Sequence, residues 1–480
     1  LQSGLKNPLD LAIIKAGQPA EAKTFAKIDE NPFDFVRRMM SVIVRDRENN
    51  TLLITKGAPE SVLEHTAYYL DRGQAAALDS AKRAEINALF TQYSLQGYKV
   101  IAAAYKPLTP GKTSFAIEDE TDLVFAGFLT FFDPPKASVK ETIAALTQLG
   151  IKIKILTGDN DLVAKKVCRD VGIPADNILT GSDVDRMSDE ALARSSDVVS
   201  VFARLNPVQK NRIMYLLKRK GHIVGFIGDG INDAPSLHTA DVGISVNNAV
   251  DVAKEAAAMI LLEKSLASLK DGVIEGRKTF ANTMKYIMMG SSSNFGNMFS
   301  MSLASLMVPF LPMAPTQILL NNMLYDLSQV AIPTDRVDEE SILQPQKWDL
   351  RFIRLFMLVF GPLSSVFDLL TFGLLLYVFD AGEAVFQTGW FIESLATQVL
   401  VIHIIRSKRT FLQRRAGKWL TVSTLGVAIG GFLIPYTGLG AFFGFTPVSP
   451  VLVLAMSGMV IVYLGTAELV KGWFLRKYGW

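Results

Sequence analysis

The 480 residues predict an α/β cytoplasmic part, built as two domains over residues 1–285, followed by an α-helical membrane bundle of six spans over residues 286–480. Three observations carry this. Of the 95 Asp, Glu, Lys and Arg residues, only 24 fall in the 195 residues from Tyr286 onward. The mean hydropathy of +0.26 therefore averages two halves suited to different solvents. The polar half alternates short apolar runs with amphipathic segments, the pattern of a parallel sheet wrapped by helices. The apolar half offers six stretches of the roughly 20 residues that a helix needs to cross the hydrocarbon layer.

Composition also excludes several classes. A net charge of +3, with no long basic tract, argues against a nucleic-acid partner. One cysteine, Cys168, rules out a disulfide framework and suits a reducing cytosol for the polar half. The opening Leu1-Gln2-Ser3-Gly4 has no initiator Met, basic region or apolar signal core, and reads as the start of a cut chain.

In chain order, residues 1–121 carry their own apolar strands (Met40 to Val44, Leu52 to Ile54, Val100 to Ala104) and form a smaller domain. Lys56-Gly57-Ala58 follows the second of these, where backbone and ammonium can approach a nucleotide. Residues 122–285 supply the runs Val124 to Phe132, Ile151 to Leu156, Val198 to Ala203, Ile223 to Ile227, Val242 to Val246 and Met259 to Leu262, read as buried strands. Helical patterns such as Ser138 to Leu149 and Leu162 to Val171 lie between them. Ligands of such a sheet belong beyond the carboxyl ends of its strands, and two motifs stand there. Thr157-Gly158-Asp159 offers a hydroxyl and flexible amides to a phosphoryl group. Gly228-Asp229-Gly230-Ile231-Asn232-Asp233-Ala234-Pro235 sets two carboxylates four apart on a glycine turn, hard oxygen ligands that leave positions for water and phosphate around Mg²⁺. Lys210, before a helix, can hold phosphate charge. No G-x-x-x-x-G-K-[ST] loop occurs, which excludes the P-loop route to ATP.

The six spans are placed near 287–308, 315–333, 352–379, 387–405, 418–435 and 449–472. Pro309, Pro312 and Pro315 separate the first two, which makes them a tight hairpin. Every Lys and Arg beyond Tyr286 falls on one side, from Arg336, Lys347, Arg351 and Arg354 through Arg406 to Lys418 and on to Lys471, Arg476 and Lys477. The opposite loops carry only Asp380 and Glu383. The positive-inside rule then puts both ends of this half in the cytoplasm. The basic loop Arg406 to Lys418 can meet anionic lipid headgroups, although such loops are basic in any case. Asn294 and Asn297 share one face of span one, and Asn322 and Asp326 one face of span two. A carboxylate at membrane depth costs about 2.5–3.5 kcal/mol or more, so it is usually paired, hydrated or functional. Amide oxygens around Asp326 point to a cation site. Asp368 and Glu393 have no such local cluster, and for them an ion site and an inter-helix hydrogen bond stay equally open.

Together, Lys56-Gly57-Ala58, Asp133-Pro134-Pro135-Lys136, Thr157-Gly158-Asp159 and Gly228 to Pro235, followed by six spans, resemble the cytoplasmic and C-terminal membrane parts of a P-type ATPase. Ser292-Ser293-Asn294-Phe295-Gly296-Asn297 and the string from Asn321 to Pro333 resemble its bacterial magnesium-transporting branch. The resemblance covers Gly4 to Trp480. It implies a nucleotide-binding domain at 1–121, a haloacid-dehalogenase-like phosphorylation domain at 122–285, and ATP and Mg²⁺ as cofactors. Carried over by motif, Phe33 stacks on adenine, Lys56 and Gly57 hold nucleotide, and Asp10, Arg38 and Met40 make further nucleotide contacts. Lys99 stands where the family often has arginine and lacks its bidentate fork. Thr157, Gly158 and Asp159 hold phosphoryl oxygens and ATP, and Arg204 touches nucleotide. Lys210 serves the phosphorylated centre, Asp229 and Asp233 the catalytic Mg²⁺, and Asn232 the phosphate. Asn294, Asn297, Asn322 and Asp326 would hold the transported ion.

Two departures sharpen the expectation. The family's phosphoryl acceptor is the aspartate of a D-K-T-G-T string; no Asp-Lys-Thr occurs here, and its family position is before Leu1, as are four spans and the actuator domain. The chain alone is expected to bind ATP–Mg²⁺ and form no aspartyl phosphate. Calcium and sodium/potassium pumps usually put a glutamate where Asn297 stands, so Asp326 is the remaining charged ligand of this helix pair, which suits a partly hydrated Mg²⁺. The implied protein is a Mg²⁺ pump of the bacterial inner membrane with residues 1–285 in the cytoplasm. Its partners are Mg²⁺, lipid and the N-terminal half of the same pump. The alternatives are a pump for another divalent cation and a catalytically inactive, membrane-anchored nucleotide-binding fragment.

Overall fold

A computed structural model of the chain describes residues 8–17, 24–34, 37–109, 115–263, 265–411, 413 and 415–479; the opening Leu1 to Gly4 lies outside them. The described residues divide into two compact units, one formed by 1–147 and 151–270, the other by 148–150 and 271–480.

The first unit contains a seven-stranded mixed sheet. Its strands are β1 (Ala26–Asp34), β2 (Met39–Arg45), β3 (Thr51–Gly57), β4 (Thr66–Asp71), β5 (Gln74–Ala77), β6 (Lys99–Leu108) and β7 (Leu123–Phe131), in the order β1-β2-β3-β6-β7-β4-β5. All neighbours run antiparallel except β4 with β7. Asp46 closes the β2–β3 turn by accepting from the backbone amides of Glu48 and Asn50 at 2.9 and 2.8 Å, and so fixes the register that sets Val42 opposite Ile54. The inward residues Met39, Ile43, Leu53, Ala102 and Leu123 pack with Val62 and Leu63 of helix Pro59–Glu64 and Ile86 of helix Ser80–Leu95. That second helix starts where Asp79 accepts from the Lys82 amide at 2.7 Å.

Two three-stranded parallel sheets follow. One holds β8 (Ile155–Leu156), β9 (Ile178–Thr180) and β10 (Val201–Ala203) in the order β8-β10-β9; the other holds β11 (Gly225–Ile227), β12 (Val242–Val246) and β13 (Met259–Leu261) in sequence order. Helices Asp161–Val171 and Pro207–Arg219 cover them. Leu156 and Val224 lie against the cores of both sheets. This corrects two sequence expectations. Val124 to Phe132 does not enter a parallel sheet, because β7 pairs antiparallel with β6 from Lys99↔Phe131 onward. The expected buried strands near β11 and β13 leave Ile223, Met259 and Leu262 exposed, since both strands stand at sheet edges.

The second unit is helical. Its long helices are α1 (Leu266–Met307, whose first residues belong to the first unit), α2 (Pro315–Gln329), α3 (Leu350–Gly373), α4 (Glu383–Leu400), α5 (Lys418–Leu433) and α6 (Pro450–Tyr478). Among the described residues, four helical stretches are long and apolar enough to cross a membrane: Leu350–Val378, Glu383–Ile405, Lys418–Tyr436 and Pro450–Tyr478. The two remaining expected spans do not reach that measure. α2 has 15 residues, a rise of about 22 Å against the roughly 30 Å of hydrocarbon, and the Ser/Asn run of α1 lowers its hydropathy. α4 is the inner helix, with Phe386, Trp390, Phe391, Leu395 and Val399 fully enclosed.

Candidate functional site

Within the first unit, a cavity of about 680 Å³ opens between the edge of the seven-stranded sheet and the carboxyl end of β8. The large sheet side contributes Asp10, Phe33, Arg38, Met40, Lys56, Gly57 and Lys99, and the parallel-sheet side Gly158, Asp159, Arg204, Lys210 and Asn232. Residues far apart in sequence are thus gathered by the ends of β1, β3, β8, β10 and β11 and the starts of β2 and β6. Phe33, on β1, is 50% exposed and lines the cavity.

Four of the cavity's five cations are held by carboxylates. Lys56 pairs with Asp10. Lys99 Nζ lies 2.6 Å from Asp159 Oδ1. Arg204 reaches Asp161 Oδ1 at 2.8 Å through Nε and Glu60 Oε1 at 2.7 Å through Nη1. Lys210 Nζ lies 2.8 Å from Asp233 Oδ1. Arg38 Nη2 donates to the Arg204 carbonyl at 3.4 Å. Both arginines take a left-handed backbone, φ 55° in each case, a conformation that costs a non-glycine residue of order 1 kcal/mol and is found where a side chain must be aimed.

Thr157 Oγ1 accepts from the Asp159 amide and donates to Asp159 Oδ2, both at 3.0 Å, so the turn after β8 is preset. Burial pushes the Asp159 carboxyl up, but Lys99, Thr157 and Lys210 outweigh it and hold the group below its ordinary value. Burial likewise pulls the Arg204 guanidinium down, and Asp161 and Glu60 more than restore it. Asp159 and Arg204 are thereby both held in their charged forms.

Beside the cavity, the turn after β11 carries Asp229 and Asp233. Gly228 has no space for a Cβ, which would overlap the Asp233 side chain. The Gly230 amide donates to Asp233 Oδ2 at 3.3 Å, while Asp229 is exposed and accepts from the Val250 amide through its backbone carbonyl at 3.2 Å. Among the described residues no group of three or more His, Cys, Asp or Glu side chains could hold a metal ion. Two carboxylates on one turn therefore offer hard oxygens for a cation that takes its other ligands from water or phosphate, which fits Mg²⁺.

Sequence reasoning missed Glu60 and Asp161, which brace Arg204. Each sits at the start of a helix directly behind a motif already singled out, Lys56-Gly57-Ala58 or Thr157-Gly158-Asp159, and that adjacency was the available signal.

In the second unit the expected ion-site residues are not gathered into one closed site. Asn294, Asn322 and Asp326 are exposed, and Asn297 Oδ1 accepts from Gln398 Nε2 of α4 at 2.8 Å. The buried polar side chains of α2 are instead Gln317, Asn321, Tyr325, Ser328 and Gln329. Asp368 and Glu393, unresolved by sequence, are both buried and come together between α3 and α4.

Two family profiles match the chain. One is described as "P-type ATPase, cytoplasmic domain N" and covers residues 4–138; the other, "Cation transporting ATPase, C-terminus", covers 310–473. Among relatives, the chain is 46% identical to "Magnesium-transporting ATPase, P-type 1" of Escherichia coli K12 over 100% of its own length and 54% of the relative's. It is 45% identical to the protein of the same name from Salmonella typhimurium LT2, with the same coverage. It is 35% identical to a "Calcium-transporting ATPase" of Bacillus subtilis over 64% of this chain and 35% of that protein. The chain spans about half the length of the magnesium-transporting relatives it matches.

Proposed function

Because this chain belongs to the cation-transporting P-type ATPases, we propose that it is the C-terminal part of an ATP-driven pump that moves Mg²⁺ across the bacterial inner membrane into the cytoplasm through an aspartyl-phosphate cycle. The observation that carries the reading is the single cavity lined by both nucleotide-type and phosphate-type residues. In this reading residues 1–121 are the nucleotide-binding domain, 122–285 a haloacid-dehalogenase-like phosphorylation domain, and 286–480 six spans with both ends in the cytoplasm. The short α2 and polar α1 count as spans because their polar groups serve an ion path.

Adenine stacks on Phe33; Gly57, Arg38, Met40 and Asp10 hold the nucleoside end; Lys56 brings its ammonium to phosphate charge, and Lys99, Thr157, Gly158, Asp159 and Arg204 guide the phosphate chain. Lys210 and Asn232 support the transferred phosphoryl group. Asp229 and Asp233 hold Mg²⁺, which neutralises phosphate charge. Phosphoryl transfer needs mainly such positioning and charge compensation. The acceptor aspartate is placed outside these 480 residues, which contain no Asp-Lys-Thr string. The split of the parallel strands into two sheets sharing Leu156 and Val224 supports a strand position between them being filled from elsewhere in the polypeptide. The cation site is assigned to Asn294, Asn297, Asn322 and Asp326, and the exposure of Asn294, Asn322 and Asp326 supports its completion by helices outside this chain.

Incubation of the isolated chain with γ-labelled ATP tests the catalytic part: the expected result is ATP binding without acid-stable label, and label on the chain overturns it. In the complete pump, Asp326→Asn is expected to abolish Mg²⁺-dependent ATPase activity and transport; unchanged transport removes Asp326 from the site. Ion-stimulated ATPase rates on the complete protein test the choice of ion: stimulation by Mg²⁺ is expected, and stimulation by another divalent cation in its place overturns it.

A further inference from the structure

Ser300 of α1, Asp368 of α3, and Trp390 and Glu393 of α4 meet inside the helical unit. Asp368 is 4% and Glu393 1% exposed. Asp368 Oδ1 accepts from Trp390 Nε1 at 2.8 Å, and Asp368 Oδ2 accepts from Ser300 Oγ at 2.6 Å. The Trp390 ring stands edge-on to Phe372, centroids 4.8 Å apart, which fixes the aim of its N–H. The Asp368 and Glu393 carboxyl groups also adjoin each other, whereas Glu393 Oε2 is enclosed and has no partner. The unit's buried cations are engaged elsewhere: Lys285 and Arg406 with Asp335, and Lys471 with Glu468. The titratable group that faces the pair from α6 is Tyr463.

Two buried carboxyl groups that adjoin with no cation beside them settle when one carries a proton, because two carboxylates can only accept and repel each other. Both oxygens of Asp368 already accept from fixed donors, so Asp368 is the carboxylate. The proton sits on Glu393, on the oxygen turned toward Asp368, and Oε2 is left as a neutral carbonyl oxygen. If Glu393 were ionised, two like charges would adjoin in an enclosed site and Oε2 would be a charged acceptor without a donor, which is far more costly.

We propose that Asp368 and Glu393 form a one-proton binding site in the interior of the helical unit, with Glu393 holding the proton and Asp368 receiving its hydrogen bond. The pair carries a single negative charge, spread toward Ser300 and Trp390, and joins α1, α3 and α4. This inference needs only the buried geometry and stands whether or not the chain is part of a Mg²⁺ pump. Asp326 and the three asparagines are a separate set, since none of them is among the partners of either carboxyl group.

Infrared spectroscopy of the full chain in lipid nanodiscs tests it. At neutral pH the wild type is expected to show the C=O stretch of a protonated carboxylic acid, absent from Glu393→Gln and still present in Asp368→Asn. A wild-type spectrum without the band, or a band that survives Glu393→Gln unchanged, overturns the proposal. Should Glu393→Gln not fold, Ser300→Ala replaces it. Removal of one donor concentrates charge on Asp368, strengthens its pull on the Glu393 proton and is expected to move the band to lower frequency; an unmoved band overturns the assignment.

Discussion

Lys210 Nζ and Asp233 Oδ1 lie 2.8 Å apart, with both side chains about 15% exposed, at the junction of the cavity and the glycine turn after β11. One carboxylate thereby has two settings: it orients the ammonium that faces the cavity, and it is one of the two carboxylates on its turn, the pair proposed above to hold Mg²⁺. Replacement of Asp233 by Asn keeps the shape and removes the charge. Since a hydrogen bond to a charged group contributes about 1.5–3 kcal/mol, Asp233→Asn is expected to weaken Mg²⁺–ATP binding roughly tenfold or more. ATP binding without Mg²⁺ is expected to change much less. Calorimetric titration of the chain with ATP, with and without Mg²⁺, checks the difference, and equal losses in the two series would argue that Asp233 only positions Lys210.

Phe33 and Lys56 contribute to the cavity in different ways, and variants separate them. The half-exposed ring of Phe33 offers a stacking face. Stacking of a base on an aromatic ring is worth about 1–3 kcal/mol, so Phe33→Ala is expected to lose roughly tenfold in affinity for ATP and for adenosine alike. Lys56→Ala is expected to lose a similar factor for ATP with little change for adenosine, as its ammonium acts on phosphate charge. Fluorescent-nucleotide displacement by the two competitors reads both numbers.

Gly57 has no room for a side chain: a Cβ would overlap the Arg38 carbonyl and the Met39 Cβ across the β2–β3 pairing. These are backbone and first side-chain atoms that cannot swing away. Gly57→Ala is therefore expected to lower the melting temperature of the seven-stranded sheet by several degrees, as overpacking by about 1–3 kcal/mol does. It is also expected to weaken ATP binding, because Arg38 lines the same cavity. A variant with wild-type melting and wild-type affinity would show that the strands yield.

How far the sequence went differs by element. β2, β3 and β6 and the helix Asp161–Val171 were legible because each buries its own apolar face, so the local pattern states the local structure. β7 was legible as a strand and misplaced in its sheet: nine mostly apolar residues say that a strand is buried, and nothing in them says that Lys99 to Tyr105 is its partner. Motifs at strand ends marked Lys56, Gly57, Thr157 to Asp159 and Asp229 to Asp233, yet the carboxylates that brace Arg204 were not legible, because Glu60 and Asp161 acquire meaning only when Arg204 arrives 43 or more residues later. Asp368 and Glu393 mark the same limit in the helical unit. Their pairing depends on the rotation and axial register of α3 against α4, which a 25-residue separation in sequence does not encode.

Asp335, just beyond α2, gives the pH prediction. Its side chain has no exposure, and its two oxygens accept from Lys285 Nζ at 2.7 Å, Arg406 Nε and Nη2 at 2.9 and 3.1 Å, and the Gly417 amide at 2.9 Å. Burial pushes the carboxyl up, but Arg406, Lys285 and the Gly417 amide outweigh it, and the folded-state pKa lies below the ordinary value of about 3.9. A depressed carboxylate stabilises the fold above its unfolded pKa, and that contribution is lost as pH falls through the folded one. Asp335→Asn is accordingly expected to destabilise the helical unit by about 3–5 kcal/mol at neutral pH, because two buried cations lose their shared counter-charge. The gap between wild type and variant is expected to stay constant from neutral pH down to about 4 and to close below it. Thermal unfolding of both proteins across that range measures the gap, and a gap that already narrows between pH 7 and pH 5 would place the lost charge on a group other than Asp335.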